Sequence, residues 1–191
     1  ILQFAIRLAF RGRFALIHLP RTESMRNVFI TSSLLVLMMA SFDVASAQKK
    51  TIILVRHAEK ADATMTQDPE LTDAGKQRAE RLAKIVKRYK PGAIYSTDFK
   101  RTRDTAAPMA SRRKLQVQIY DAKKPEDLID TIMKSKTKRF LIVGHSNTIP
   151  GLANLLGKKE LFKNLDDSEY GAIYIVRIRD GKVLKTEAIP Y

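Results

Sequence analysis

Three short polar segments hold residue types suited to attacking and holding an anionic centre. Arg56-His57-Ala58-Glu59 follows the apolar run Ile52-Ile53-Leu54-Val55. Ser96-Thr97-Asp98-Phe99-Lys100-Arg101-Thr102 follows Ala93-Ile94-Tyr95, and Gly144-His145-Ser146-Asn147-Thr148 follows Phe140-Leu141-Ile142-Val143. A neutral imidazole such as that of His57 is a competent nucleophile toward phosphorus. Arg56 and Arg101 keep their charge at any working pH, and a guanidinium fork matches the oxygens of a phosphate. His145 adds a ring donor where a strand gives way to a helix, and backbone N–H groups gather at such a junction. Ser146 and Asn147 share that junction and are expected to touch substrate, although Ser146 or Thr148 also suits a helix cap. Read alone, each segment has a structural explanation: a strand-end histidine, a surface arginine, a helix cap.

Other chemistries fit less well. The chain has no cysteine, which removes thiol nucleophiles, thiolate metal sites and disulfides. His57, Glu59 and His145 have the side chains of a metal site, but two nearby arginines would repel a cation, so no metal and no cofactor is expected. Beyond residue 47 there are 30 Lys and Arg against 18 Asp and Glu, a surface that attracts anions. Aromatic residues make up only 7% and form no stripe among the basic residues, so specific nucleic-acid binding is not expected.

The elements that must position these segments alternate. Apolar runs at residues 50–56, 93–96 and 139–144 read as buried strands, and residues 115–120 alternate as a half-exposed strand does. Helical spacing recurs from Thr72 or Asp73 to Tyr89, over 102–112 with a kink at Pro108, over 125–134 with Pro125 leading, and over 148–156 before Gly157. Asp180-Gly181 marks a terminal hairpin. Four strand–helix units and a hairpin predict a three-layer α/β fold: a mostly parallel sheet, helices on both faces, and a C-terminal β-hairpin. Ligands bind such sheets beyond the carboxyl ends of the strands, where the three polar segments fall.

The first 47 residues read differently. From Met25, a basic residue (Arg26), an apolar stretch over 28–40 and Ala45-Ser46-Ala47 have the form of a secretory leader. The expected organisation is an unassigned segment over 1–24, a signal peptide over 25–47 and one domain over 48–191. The apolar stretch falls short of the roughly 20 residues of a membrane span, so no stable anchor is expected after cleavage. That places the domain in the periplasm or outside the cell.

In this order, the Arg-His-Ala-Glu opening, Leu71-Thr72-x-x-Gly75, Ser96-x-x-x-x-Arg101-Thr102-x-x-Thr105-Ala106 and Gly144-His145-Ser146 resemble the histidine phosphatase superfamily, also called phosphoglycerate mutase-like. Ala58 stands where that family usually has glycine. The resemblance implies that His57 is transiently phosphorylated and that Arg56, Arg101 and His145 bind the phosphoryl group. In many members an acid follows the third strand, which points to Asp121 as proton donor, with Glu59 as the alternative. The implied activity is that of a metal-independent, histidine acid phosphatase-like phosphomonoesterase acting on a small phosphorylated substrate or a phosphoprotein. A phosphoglycerate mutase-type transferase and a catalytically silent phosphate-binding module are the alternatives. The connections over 58–70 and 158–170 are the longest in the domain and offer little material for a lid, which favours hydrolysis over transfer.

Overall fold

The computed structural model describes residues 48–62 and 67–191; the expected leader and the segment before it lie outside the described residues. Six strands, Lys49–Arg56 (β1), Ala93–Ser96 (β2), Val117–Ile119 (β3), Arg139–Gly144 (β4), Ala172–Arg179 (β5) and Lys182–Pro190 (β6), form one sheet in the order β3-β2-β4-β1-β5-β6. β1, β2, β3 and β4 run parallel; β5 is antiparallel to β1, and β6 to β5. The helices are Asp73–Val86 (α1), Lys100–Arg113 (α2), Pro125–Lys134 (α3) and Ile149–Gly157 (α4), with a 3-10 turn at Lys87–Tyr89. No helix among the described residues is long and apolar enough to cross a membrane.

The expected three layers are present because strand side chains alternate between faces. On one face Ile52, Leu54, Phe140 and Ile142 pack with Leu128 and Ile132 of α3 and with Ile149, Leu152 and Leu156 of α4. On the other, Ile53, Val55, Leu141 and Val143 pack with Leu82 and Val86 of α1 and with Ala106 and Met109 of α2. Each fully buried aliphatic side chain contributes about 1.5–3 kcal/mol. β1 and β4 are central and covered on both sides, which explains their unbroken apolar runs.

Local differences from the sequence reading have physical causes. β3 is only three residues long and sits at the sheet edge, where one neighbour suffices. α2 runs unbroken through Pro108, whose missing N–H forfeits a single hydrogen bond. Two of the helices, α2 and α4, close on lysines in the left-handed region, Lys114 (φ 54°) and Lys158 (φ 52°), the latter in place of the expected Gly157. A cation there complements the negative helix end and offsets part of the cost of that conformation. The hairpin turn falls at Asp180 and Gly181, both at positive φ, as a two-residue turn between twisted strands requires.

The Leu71-Thr72-x-x-Gly75 pattern has a packing reason. The Thr72 side chain caps α1 by accepting from Gly75 N at 3.0 Å, while Thr72 N donates to Glu59 O at 2.9 Å. A Cβ on Gly75 would sit 2.2 Å from that same Glu59 oxygen. Glycine therefore lets the first turn of α1 press against the backbone just beyond His57.

Candidate active site

His57 begins where β1 ends, and its N–H still donates to Gly144 O at 2.9 Å, beside the end of β4. His145 follows Gly144 directly. The two rings thus leave neighbouring central strands at the same sheet edge, with centroids 5.5 Å apart. The His57 Nδ1 lies 2.8 Å from Ala58 O, which only accepts, so Nδ1 carries the proton and Nε2 keeps its lone pair. Ala58 N donates to Thr105 Oγ1 at 2.9 Å, and Thr105 donates to Arg101 O at 2.7 Å, tying this turn to α2. That is the role of the threonine in the Arg-Thr-x-x-Thr segment.

Burial lowers the His57 pKa to about 4, reinforced by His145, Arg101 and Arg56 and opposed by its bond to Ala58. Burial, then Arg101 and Arg56, lowers His145 to about 4 as well. Both rings are therefore neutral at pH 7, and both feel both guanidiniums. Nε2 of His145 meets Thr97 Oγ1 at 3.0 Å. Thr97 in turn donates to Thr102, whose own hydroxyl points to the Thr97 and Phe99 carbonyls. Along this chain Nε2 of His145 donates.

The structure thus brings His57, Arg56, Arg101 and His145 to one end of the sheet. The arginines have additional partners. Arg56 Nη1 donates to Asp166 O at 2.7 Å and Glu169 O at 2.8 Å, and its guanidinium stacks 4.1 Å from the Tyr170 ring centroid. Arg101 pairs with Asp68 at 3.6 Å and lies 4.3 Å from the Phe99 ring. The Nε of each arginine is buried without a protein partner. The connection over 158–171 therefore packs onto the site, with Leu165 N donating to Ser146 O and Tyr170 standing 6.3 Å from His57.

The two candidate acids differ in setting. Arg78 donates to Glu59 Oε1 at 2.7 Å, and although burial pushes the Glu59 pKa up, the Arg78 bond and charge bring it below the usual range. Asp121 instead lines an open cleft of about 710 Å³ with Arg101 and His145, and Asn147 lines it too. Asp121 Oδ1 also accepts from Lys123 N at 2.8 Å, as a turn aspartate does. No group of three or more His, Asp or Glu among the described residues is arranged to hold a metal ion. Sequence reasoning missed Tyr170, which gave no signal beyond an aromatic in a polar connection. It also missed Asp68, read only as part of an Asp-Pro loop, which caps α2 by accepting from Lys100 N at 2.9 Å.

Fold and site together define a three-layer α/β protein with a histidine–arginine centre at the carboxyl edge of its parallel strands. Residues 52–124, which carry three of the four converging side chains, match the histidine phosphatase superfamily (branch 1), and the chain shares that family's phosphoglycerate mutase-like fold. No curated protein matches the sequence at a significant level. Among solved structures, the chain is similar to a putative alpha-ribazole-5'-P phosphatase from Escherichia coli (14% identity, TM-score 0.62, covering 74% of this chain and 96% of that one). It is likewise similar to a mycobacterial glucosyl-3-phosphoglycerate phosphatase (14%, TM-score 0.59, covering 75% and 98%). A putative phosphohistidine phosphatase SixA from Agrobacterium tumefaciens is 20% identical, with TM-score 0.57, over 73% of this chain and 98% of that one. At these identities the likeness is one of fold.

Proposed function

We propose that the domain hydrolyses phosphate monoesters through a phosphohistidine on His57. The observation that carries the reading is the state of that ring: Nδ1 is held by Ala58 O and the pKa is about 4, so Nε2 offers its lone pair at neutral pH. Nε2 attacks phosphorus in line, the P–O bond to the alcohol breaks, and the alcohol oxygen takes a proton. Asp121 is proposed as its donor because it lines the open cleft, whereas Glu59 is held ionised by Arg78. Water then attacks the phosphohistidine and gives its proton back to the ionised Asp121, the P–N bond breaks, and the electron pair returns to Nε2.

Charge stabilisation falls to Arg56, Arg101 and His145. The two buried Nε groups are charged donors that the protein leaves unpaired, and an anion beside them would offset their lost hydration. An anion there also raises the His145 pKa toward the charged form, in which both ring nitrogens donate. Preorganised donors of this kind act on charge as it spreads over the phosphoryl oxygens. Ser146 and Asn147 are proposed substrate contacts at the mouth. The substrate is proposed as a small phosphorylated molecule or a phosphoprotein, met in the periplasm or outside the cell if the leader over 25–47 is used.

One observation favours the second reading, a phosphate-binding module without turnover: His57 is only 4% exposed, with the Tyr170 ring 6.3 Å away. A single experiment separates the two. Brief exposure of the protein to a 32P-labelled monoester, followed by acid-free quench and peptide mapping, should label His57. Phosphate binding with no label on His57 and no release of inorganic phosphate would establish the silent module instead.

A further inference from the structure

The cleft beside His145 has a composition that distinguishes among leaving groups. Five large apolar side chains among the described residues are exposed: Phe99, Ile119, Leu155, Leu161 and Leu184. Two of the five, Phe99 and Ile119, line this one cleft, together with Tyr120. Scattered surface apolar residues need no explanation, but apolar side chains gathered in a concavity beside reactive groups do. The sheet register accounts for the gathering. Ile119 pairs with Ser96, so the end of β3 and the turn after β2 open side by side at the edge where His57 and His145 emerge.

Phe99 is held in place on both sides. Its ring meets His145 edge-on at 5.1 Å and covers the Arg101 guanidinium at 4.3 Å. An ester whose phosphoryl group rests on Arg101 and His145 has this cleft for its alcohol portion, past Phe99 toward Ile119 and Tyr120. The charged groups along that path are Asp98, Asp121 and Lys123. Asp98 is paired with Arg103, and Asp121 holds the Lys123 N–H. A carboxylate-bearing alcohol would find charges of both signs there, with Asp98 already paired to Arg103 and Asp121 beside Lys123. A flat, uncharged alcohol would cover the two exposed apolar side chains.

We propose that this cleft selects phosphate monoesters of uncharged aromatic alcohols over those of polyols and hydroxy acids. The proposal rests on the phosphatase reading and adds the substrate class to it.

The test compares benzyl phosphate with glycerol 3-phosphate, both esters of primary alcohols, so that leaving-group reactivity differs little while shape and polarity differ. The kcat/KM for benzyl phosphate should exceed that for glycerol 3-phosphate by about tenfold or more, the scale on which an apolar pocket discriminates. Ile119→Thr, which keeps a β-branched residue on the strand, and Phe99→Ser should each cut that ratio by about fivefold or more. Leu184→Thr, on β6 outside the cleft, should leave it unchanged. A wild-type ratio near or below one, or a ratio that neither cleft substitution moves, overturns the selectivity while leaving the phosphatase reading standing. Turnover of neither ester, with no label on His57, overturns the phosphatase reading and this inference with it.

Discussion

Arg56 stacks 4.1 Å from the Tyr170 ring centroid while one of its nitrogens bonds two carbonyls of the same connection. The arginine beside His57 therefore also clamps the segment that carries Tyr170. Replacing Tyr170 should uncover His57 without removing any group proposed to touch phosphorus. Tyr170→Ala is expected to speed modification of His57 by diethyl pyrocarbonate several-fold, read by peptide mass spectrometry. It should also lower stability by about 1–2 kcal/mol through the lost stacking, read by urea unfolding. Unchanged His57 reactivity would mean that Tyr170 does not cover the ring.

The acid limb of the activity profile follows from the two histidines. As the proposed nucleophile His57 must be neutral, and its pKa falls from 6.5 to about 4. With p-nitrophenyl phosphate, whose leaving group needs no acid, activity should therefore rise as pH climbs through about 4 and be flat across pH 6–7, where an unperturbed histidine would still be titrating. The limb is read from kcat/KM between pH 3.5 and 7. A half-rise near 6.5 would contradict the burial and positive surroundings described for the ring.

The same depressed pKa makes stability pH-dependent. Above 6.5 the ring is neutral in both folded and unfolded chains and contributes no slope. Between 6.5 and about 4 the unfolded chain takes up a proton that the folded chain refuses, so stability drops as pH is lowered. The full effect is about 3 kcal/mol for His57, reached below about pH 4. His57→Asn should lose correspondingly less stability than the wild type between pH 7 and 4.5 in urea titrations. Equal losses in the two proteins would remove His57 as the cause.

Asp121 and Glu59 are separable by leaving group. If Asp121 supplies the proton, Asp121→Asn should lower kcat on alkyl esters by about 100-fold or more and on p-nitrophenyl phosphate far less, since nitrophenolate leaves without help. Glu59→Gln should not show that dependence. Its expected cost is in stability, about 1–3 kcal/mol, because it leaves Arg78 without its charged partner. The opposite pattern would reassign the acid.

Gly75→Ala tests the close approach of α1 to the turn beyond His57. The atom that a methyl group would strike is a backbone oxygen, which cannot rotate away. A loss of about 1–3 kcal/mol in urea unfolding is expected, together with lower activity because residues 57–59 must shift. Unchanged stability would show that the helix can withdraw freely.

The sequence revealed the layers and the edge where the polar segments gather because both depend on local patterns. Apolar runs such as Ile52–Val55 and Leu141–Val143 mark buried strands wherever they occur, and polar residues at their ends must share one edge. The bonds that finish the site are not local. Arg56 meets carbonyls more than a hundred residues away, and Asp68 reaches across to Arg101 and the start of α2. No periodicity records such encounters. The helix ends escaped notice for another reason: glycine is the usual left-handed residue, and lysine fills that position at Lys114 and Lys158.

The bond from His57 N to Gly144 O has a consequence for how such a protein can change. It sets the spacing of the two imidazoles by the interval between adjacent central strands, a dimension that sheet geometry keeps nearly constant. The turn after β2, the edge around β3 and the connection before β5 all lie outside that bond. They can lengthen, shorten or exchange side chains and so reshape the surroundings of the rings, while the two imidazoles stay in register.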